Sequence, residues 1–236
     1  MSTVALITAR GLFGRRRVLL LLPLPLLLVG LAAMCRSYDL DPGQWGQSVI
    51  VGLGFAVVLP VIALIVGTGV LGSEVDDGTL VHILTKPLPR RDIILAKYFV
   101  AVVATAVTTA VPLFLTGLLA GSASLGAALA AAAVVGALAY SALFLLLSLV
   151  TRRPVLLGLV YILIWEGLLS RWVSGTRVLS IEQYVITIAD KIHATPMLTA
   201  NVSLTTAAVM SALFVLGCTV IAINRLGSFS LAGETS

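Results

Sequence analysis

Residues 73–97 read SEVDDGTLVHILTKPLPRRDIILAK, the longest polar stretch in a chain that is otherwise mostly apolar. This stretch carries eight charged residues, whereas the whole chain has only 15 Lys and Arg and 10 Asp and Glu. Long apolar runs flank it on both sides. A compact charged loop between two apolar segments indicates a contact surface at one face of a membrane, and we expect this loop to bind something there.

The composition around this loop predicts a membrane protein. The chain has 236 residues, is 59% hydrophobic and 11% charged, and has a mean hydropathy of +1.12. A soluble domain carries about 25% charged residues, so most of this surface faces lipid. Apolar runs of about 18 residues or more favour helices, which satisfy their backbone polar groups internally. The predicted fold class is therefore all-α and polytopic.

We predict a single transmembrane domain over residues 1–236, with an interfacial segment at each side. Residues 1–17 alternate apolar residues with arginines, which is typical of an interfacial amphipathic helix or of a plain positively charged anchor. Residues 170–203 are long but only weakly polar, and predict one or two external amphipathic helices. The six predicted spans are residues 18–34, 48–72, 97–119, 126–150, 154–169 and 204–223.

The distribution of Lys and Arg predicts the orientation of these spans, because cytoplasmic loops are enriched in both. With both termini in the cytoplasm, eleven of the 15 basic residues lie inside and four outside. The polar loop is then cytoplasmic and residues 170–203 are external. The eleven inside are Arg10, Arg15, Arg16, Arg17, Lys86, Arg90, Arg91, Lys97, Arg152, Arg153 and Arg225.

Two residues within the predicted spans each have a structural and a functional interpretation. Pro60, at mid-depth of the second span, indicates either a packing kink or a hinge that lines a pathway. Glu166 lies about one turn from the external end of the fifth span. It is either a pathway or gating group, or an interfacial glutamate paired with Arg171 or Arg177 and backed by Trp165 and Trp172.

The polar loop itself predicts a two-turn helix parallel to the membrane. Thr79 is a suitable N-cap after Gly78, with Asp76 and Asp77 before it. Leu80, Ile83 and Leu84 then share one apolar face. Pro87 and Pro89 end the helix. Such a ridge suits either a groove on a partner protein or the surface of the bilayer.

The same loop resembles the segment after the second span of ABC-2-type transporter permeases. The family pattern is an acidic residue, Gly-Thr-Leu, a short apolar helix, Thr-x-Pro, arginines, an apolar pair and a lysine. Tyr161, Trp165 and Glu166, followed by Leu179, Ser180 and Tyr184, also resemble the fifth-span region of this family, more weakly. The matching loop residues are Glu74, Gly78, Thr79, Leu80, Leu84, Thr85, Pro87, Arg91, Ile94 and Lys97.

This resemblance implies the membrane subunit of an exporter in a bacterial inner (plasma) membrane. Such permeases pair as a homodimer, or as a related heterodimer, with two copies of a separate ATPase that binds ATP and Mg²⁺. The short helix between spans two and three is the coupling helix in the ATPase cleft. The implied coupling residues here are Glu74, Gly78, Thr79, Leu80, Ile83, Leu84, Thr85, Pro87, Arg90 and Arg91.

The chain lacks the sequence motifs of several other classes of function. It has no GxxxxGK[ST], HExxH, GxSxG or CxxC, and its two cysteines, Cys35 and Cys218, indicate no metal site. We therefore expect no enzyme, no bound cofactor or metal and no nucleic-acid partner. The alternative functions are an ion-coupled secondary transporter, which predicts paired charges at mid-membrane, and a membrane scaffold or assembly factor.

Overall fold

Helices account for nearly all of the backbone that the structure describes. The computed structural model describes residues 21–76 and 90–228, and no strand occurs within these ranges. The all-α class predicted from the composition is confirmed. The helices are α1 (Pro23–Ser37), α2 (Pro42–Gly46), a π-helical segment (Gln47–Val58), α3 (Leu59–Asp76), α4 (Arg90–Ala120), α5 (Ala123–Val150), α6 (Pro154–Val160), a second π-helical segment (Tyr161–Leu169), α7 (Ser170–Trp172), a 3₁₀ helix (Ser174–Leu179), α8 (Ile181–Ile192) and α9 (Leu204–Ser228).

The apolar helices follow the order of the predicted spans. Four helical stretches in the described part of the chain are long and apolar enough to cross a membrane, and two more are apolar but shorter. The short ones are Pro23–Ser37 and Pro154–Leu169. Beginning at Arg90, α4 starts one to two turns before the predicted span because Asp92 favours the positive end of its dipole. The four long stretches are Pro42–Val70, Arg91–Ala120, Ala123–Val150 and Leu204–Leu226.

Local sequence explains where several helices begin. Proline stands at the start of α1, α2 and α6, where its missing N–H removes no helical hydrogen bond. Pro23 and Pro25 therefore lie in the first turn of α1 and do not break it. A serine begins α5, since the Ser122 hydroxyl accepts the Leu125 N–H at 3.2 Å.

The centre of the bundle is α5, which contacts α3, α4, α6, α8 and α9. Within it the rings of Tyr140 and Phe144 stack with centroids 5.9 Å apart, and both are fully buried. Small residues let the backbones of α4 and α5 approach closely. A Cβ on Gly117 would lie 2.6 Å from the Gly126 Cα. Small residues at a helix interface allow such a close approach of two backbones.

Side-chain contacts group the connecting segments at two ends of the bundle. At one end, the Ser124 hydroxyl lies 3.3 Å from His193 Nδ1, and a Cβ on Gly46 would meet Met197. The loop before α2, the turn between α4 and α5, and residues 193–197 therefore share that end. At the other end, a cluster formed by Ile94, Leu145, Leu149, Ala222 and Leu226 joins α4, α5 and α9.

Candidate functional site

The carboxylate of Glu166 is the most heavily bonded polar group that the bundle buries. Glu166 is 1% exposed and lies in the π-helical segment Tyr161–Leu169. Its Oε1 atom accepts from the Tyr161 hydroxyl at 3.0 Å, the Ile181 N–H at 3.0 Å and the Tyr140 hydroxyl at 3.3 Å. Its Oε2 atom accepts from the Ser180 hydroxyl. These donors come from α5, from its own helix and from the start of α8.

These contacts differ from those of an interfacial glutamate. These donors, and the Glu182 backbone N–H that also bonds to the carboxylate, are neutral hydroxyl or backbone groups, and the side chain is shielded from solvent and lipid alike. Arg177 Nε donates to the Ser170 carbonyl at 3.3 Å, and Trp165 Nε1 donates to the Leu179 carbonyl at 3.3 Å. Trp172 is 83% exposed and does not shield the carboxylate. These contacts place the carboxylate inside the bundle, against the start of α8.

The partner of Glu166 is an amphipathic helix that folds back onto the bundle. The predicted helix in residues 170–203 is present as α8, which packs on α5 and α9. Val185, Ile186 and Ala189 are buried against these neighbours. The hydroxyl of Tyr184 donates to the Val178 carbonyl, and burial raises the pKa of Tyr184 to about 12, so that it stays a donor at neutral pH.

Two hydrogen-bonding groups lie at the start of α8, the Ser180 hydroxyl and the Ile181 N–H. The Ser180 hydroxyl accepts the Gln183 N–H at 3.3 Å as an N-cap while it donates to Glu166. The Ile181 N–H is a free donor of the first helical turn, and the Glu166 carboxylate accepts it. A negative charge at this position also favours the helix dipole. Glu166 thus serves as a second cap, supplied from another helix.

The polar loop is described only at its ends. Glu74 lies in the last turn of α3, and α4 begins at Arg90. The exposed Arg91 has its Nε 3.8 Å from the Asp92 carboxylate. The predicted loop helix, with Gly78, Thr79, Leu80, Ile83, Leu84, Thr85 and Pro87, lies outside the described residues.

Lys97 ties the two helices that flank this loop. Its side chain is 1% exposed, and Nζ donates to the Val70 carbonyl of α3 at 3.0 Å. A charge-assisted bond of this kind is about twice as strong as a neutral one. Because Lys97 is buried, it holds α3 against α4. Arg91 is exposed, as a residue that contacts a partner must be.

Pro60 follows directly after the first π-helical segment. The Leu59 N–H donates to the Gly54 carbonyl, five residues back, and Pro60 has no N–H to continue either pattern. The side chain of Pro60 is buried. The helix changes at this point from wide π-helical turns before the proline to the regular turns of α3 after it. Short π-helical segments are frequent at functional sites.

An apolar groove of about 450 Å³ lies between α5, α8 and α9. The one hydroxyl in it, that of Ser211, already donates to the Ala207 carbonyl at 2.6 Å. The groove thus suits hydrocarbon and offers no group for a charged ligand. Its lining residues are Val135, Leu138, Ile188, Ala208, Ser211, Ala212, Val215 and Leu216.

Part of the Glu166 site has a signal in the sequence. Tyr161, Ser180 and Tyr184 stand in the pattern of the fifth-span region, but Tyr140 was not predicted. The sequence feature that could have indicated Tyr140 is that it is a lone hydroxylated aromatic residue in a span rich in Ala, Gly and Leu. A buried tyrosine hydroxyl needs a partner, and Glu166 supplies it.

The helices and their apolar surfaces define a multi-pass membrane protein. Comparison with protein families narrows this class. A family model described as "ABC-2 family transporter protein" matches residues 15–170, which is more than half of the chain. The chain therefore belongs to the ABC-2 family of transporter membrane proteins. The match includes the polar loop, Pro60 and Glu166 and ends before α8. Comparison with curated proteins gives no match.

Proposed function

We propose that this chain is the permease subunit of an ATP-driven exporter. The observation that carries the proposal is the ABC-2 family match over residues 15–170. Because the sequence has no phosphate-binding loop, ATP and Mg²⁺ bind to a separate ATPase subunit and not to this chain. The active assembly contains two permeases, identical or closely related, and two ATPases.

The coupling surface is the polar loop. It follows the second apolar helix, Pro42–Val70, and leads into α4, the position of the coupling helix in the resembling permeases. The ridge of Leu80, Ile83 and Leu84 enters a cleft of the ATPase. The Lys97–Val70 hydrogen bond supports this role, since it ties together the two helices through which loop movement reaches the bundle.

The proposed topology has six spans with both termini in the cytoplasm of a bacterial cell. The Lys and Arg distribution supports this orientation. The contact of Ser124 with His193 supports placing the turn after α4 and the segment after α8 on the same side of the membrane, as the topology requires. The short helices α1 and α6, the latter with its π-helical continuation, serve as the first and fifth spans.

The topology predicts opposite labelling of two single cysteines in intact cells. In a chain with Cys35 and Cys218 changed to serine, Ser124→Cys should react with a membrane-impermeant maleimide. Arg152→Cys, also exposed, should react only after the membrane is opened. Labelling of Arg152→Cys in intact cells, with Ser124→Cys protected, would invert the proposed orientation.

The proposed function predicts a purified complex that hydrolyses ATP. Co-expression with the cognate ABC ATPase, to be sought among the genes neighbouring that of this chain, should yield a stable assembly with equal numbers of both subunits. The assembly should lose hydrolysis when the Walker lysine of the ATPase is replaced, while the permease alone should show none. An ion gradient that drives transport without the ATPase would instead support the secondary transporter.

A further inference from the structure

The directional bonds between α8 and the rest of the bundle are concentrated at one end of this helix. Two of the donors to Glu166, the Ser180 hydroxyl and the Ile181 N–H, join the fifth apolar helix to the first turn of α8. Along its length, α8 packs through apolar side chains such as Val185 and Ile186. Apolar packing is not directional, so the position of α8 is set by its polar end.

We propose that Glu166 is a latch that holds the first turn of α8 docked against α5 and the fifth apolar helix. In the closed state the carboxylate has all its bonds from protein groups and no contact with water. In the open state the first turn of α8 moves away, and water replaces Ser180 and Ile181 as donors. Glu166 is therefore a positioning residue that acts through α8.

The chemistry of the carboxylate makes the latch a two-state device. A buried carboxylate that loses only some of its donors is destabilised, because the remaining groups cannot replace them. Partly satisfied buried networks are correspondingly unfavourable. Intermediate positions of α8 are thus disfavoured. The first turn of this helix is either fully docked on Glu166 or moved away, with water bonded to the carboxylate.

The segment between the fifth apolar helix and α8 limits where this movement can occur. The Thr176 hydroxyl donates to the Leu169 carbonyl at 2.8 Å, Arg177 Nε donates to the Ser170 carbonyl, and Trp165 Nε1 donates to the Leu179 carbonyl. These bonds fasten the connection to the end of the fifth apolar helix, so α8 moves relative to the connection at its first turn. The far end of α8 is joined by the Ser124–His193 contact, which serves as the pivot.

A buried cysteine on α8 tests the latch. Val185 on α8 and Ile94 on α4 are both fully buried, and they belong to two separate apolar clusters. In a chain without Cys35 and Cys218, each is changed to cysteine and its reaction with N-ethylmaleimide is timed in nanodiscs. Both bundle ends are open to the reagent there, so the result depends neither on the orientation nor on the ATPase proposed above.

Glu166→Ala should raise the labelling rate of Val185→Cys by about tenfold or more, the factor equivalent to losing one or two net hydrogen bonds. Labelling of Ile94→Cys should not change. Leu163→Ala, an exposed position on the same helix, is the matched control and should change neither rate. Unchanged labelling at residue 185, or an equal rise at both cysteines, would overturn the latch, since the second result indicates general loosening.

Milder variants keep the test decisive if Glu166→Ala does not fold. Ser180→Ala and Tyr161→Phe each remove one donor and leave the carboxylate in place. Both should accelerate labelling at residue 185, by less than Glu166→Ala. Glu166→Asp keeps the charge but withdraws it by one methylene, so it should behave like a broken latch. Wild-type labelling rates in all three variants would overturn the proposal.

Discussion

Replacing Gly117 with alanine is expected to destabilise the bundle by about 1–3 kcal/mol, the usual cost of forcing an extra methyl into a packed core. The new Cβ would lie 2.6 Å from the Gly126 Cα and 2.7 Å from its backbone nitrogen. Because both neighbours are backbone atoms, no side chain can rotate away. The α4 and α5 helices must separate, and α5 is the helix on which most others pack.

Thermal unfolding of the purified protein in detergent, followed by tryptophan fluorescence, measures this effect. Gly217→Ala is the matched control, because Gly217 lies within α9 and a Cβ there meets nothing within 4 Å. Gly217→Ala should stabilise α9 by roughly 0.5–1 kcal/mol, because alanine loses less backbone entropy than glycine on folding. If both variants unfold at the same temperature, the α4–α5 backbone contact does not support the bundle.

Leu84→Glu and Leu80→Glu are expected to uncouple the permease from its ATPase. Each would place a charge on the apolar ridge proposed to enter the ATPase cleft. Losing a central anchor residue of an interface costs about 2 kcal/mol or more, which weakens binding about 30-fold. Export should then cease, although we expect the bundle itself to remain folded.

His82→Glu is the control for this prediction. In the predicted loop helix residue 82 lies two positions after Leu80, on the side away from the ridge. His82→Glu adds the same charge to the same loop as Leu84→Glu and should keep transport close to the wild-type rate. Equal loss of transport in His82→Glu and Leu84→Glu would indicate that charge in the loop, and not the ridge, matters.

The fold was predictable where local chemistry decides it. Apolar runs locate the helices, and prolines such as Pro154 stand where helices begin. The π-helical segments were not predictable, since hydropathy has no signal for a wider turn. Pro60 indicated only that some carbonyl near it would lose its usual partner.

The Glu166 site was only half predictable, because its parts are brought together by the fold. Hydropathy treats a glutamate near a helix end as interfacial, and nothing local shows that α8 folds back over it. Tyr140 lies 26 residues from Glu166 in sequence, so only the packing of α5 reveals the contact. The amphipathic pattern predicted α8 but left open whether lipid or protein covers its apolar face.

Retention of the ATPase on affinity-tagged permease tests the central claim most directly. The two chains are co-expressed, the permease is captured, and the amount of ATPase bound per permease is measured for wild type, His82→Glu and Leu84→Glu. We expect equal amounts of the two subunits for wild type and His82→Glu, and almost no ATPase for Leu84→Glu. Undiminished ATPase on Leu84→Glu, with undiminished ATP hydrolysis and export, would contradict the assignment of the loop as the coupling surface.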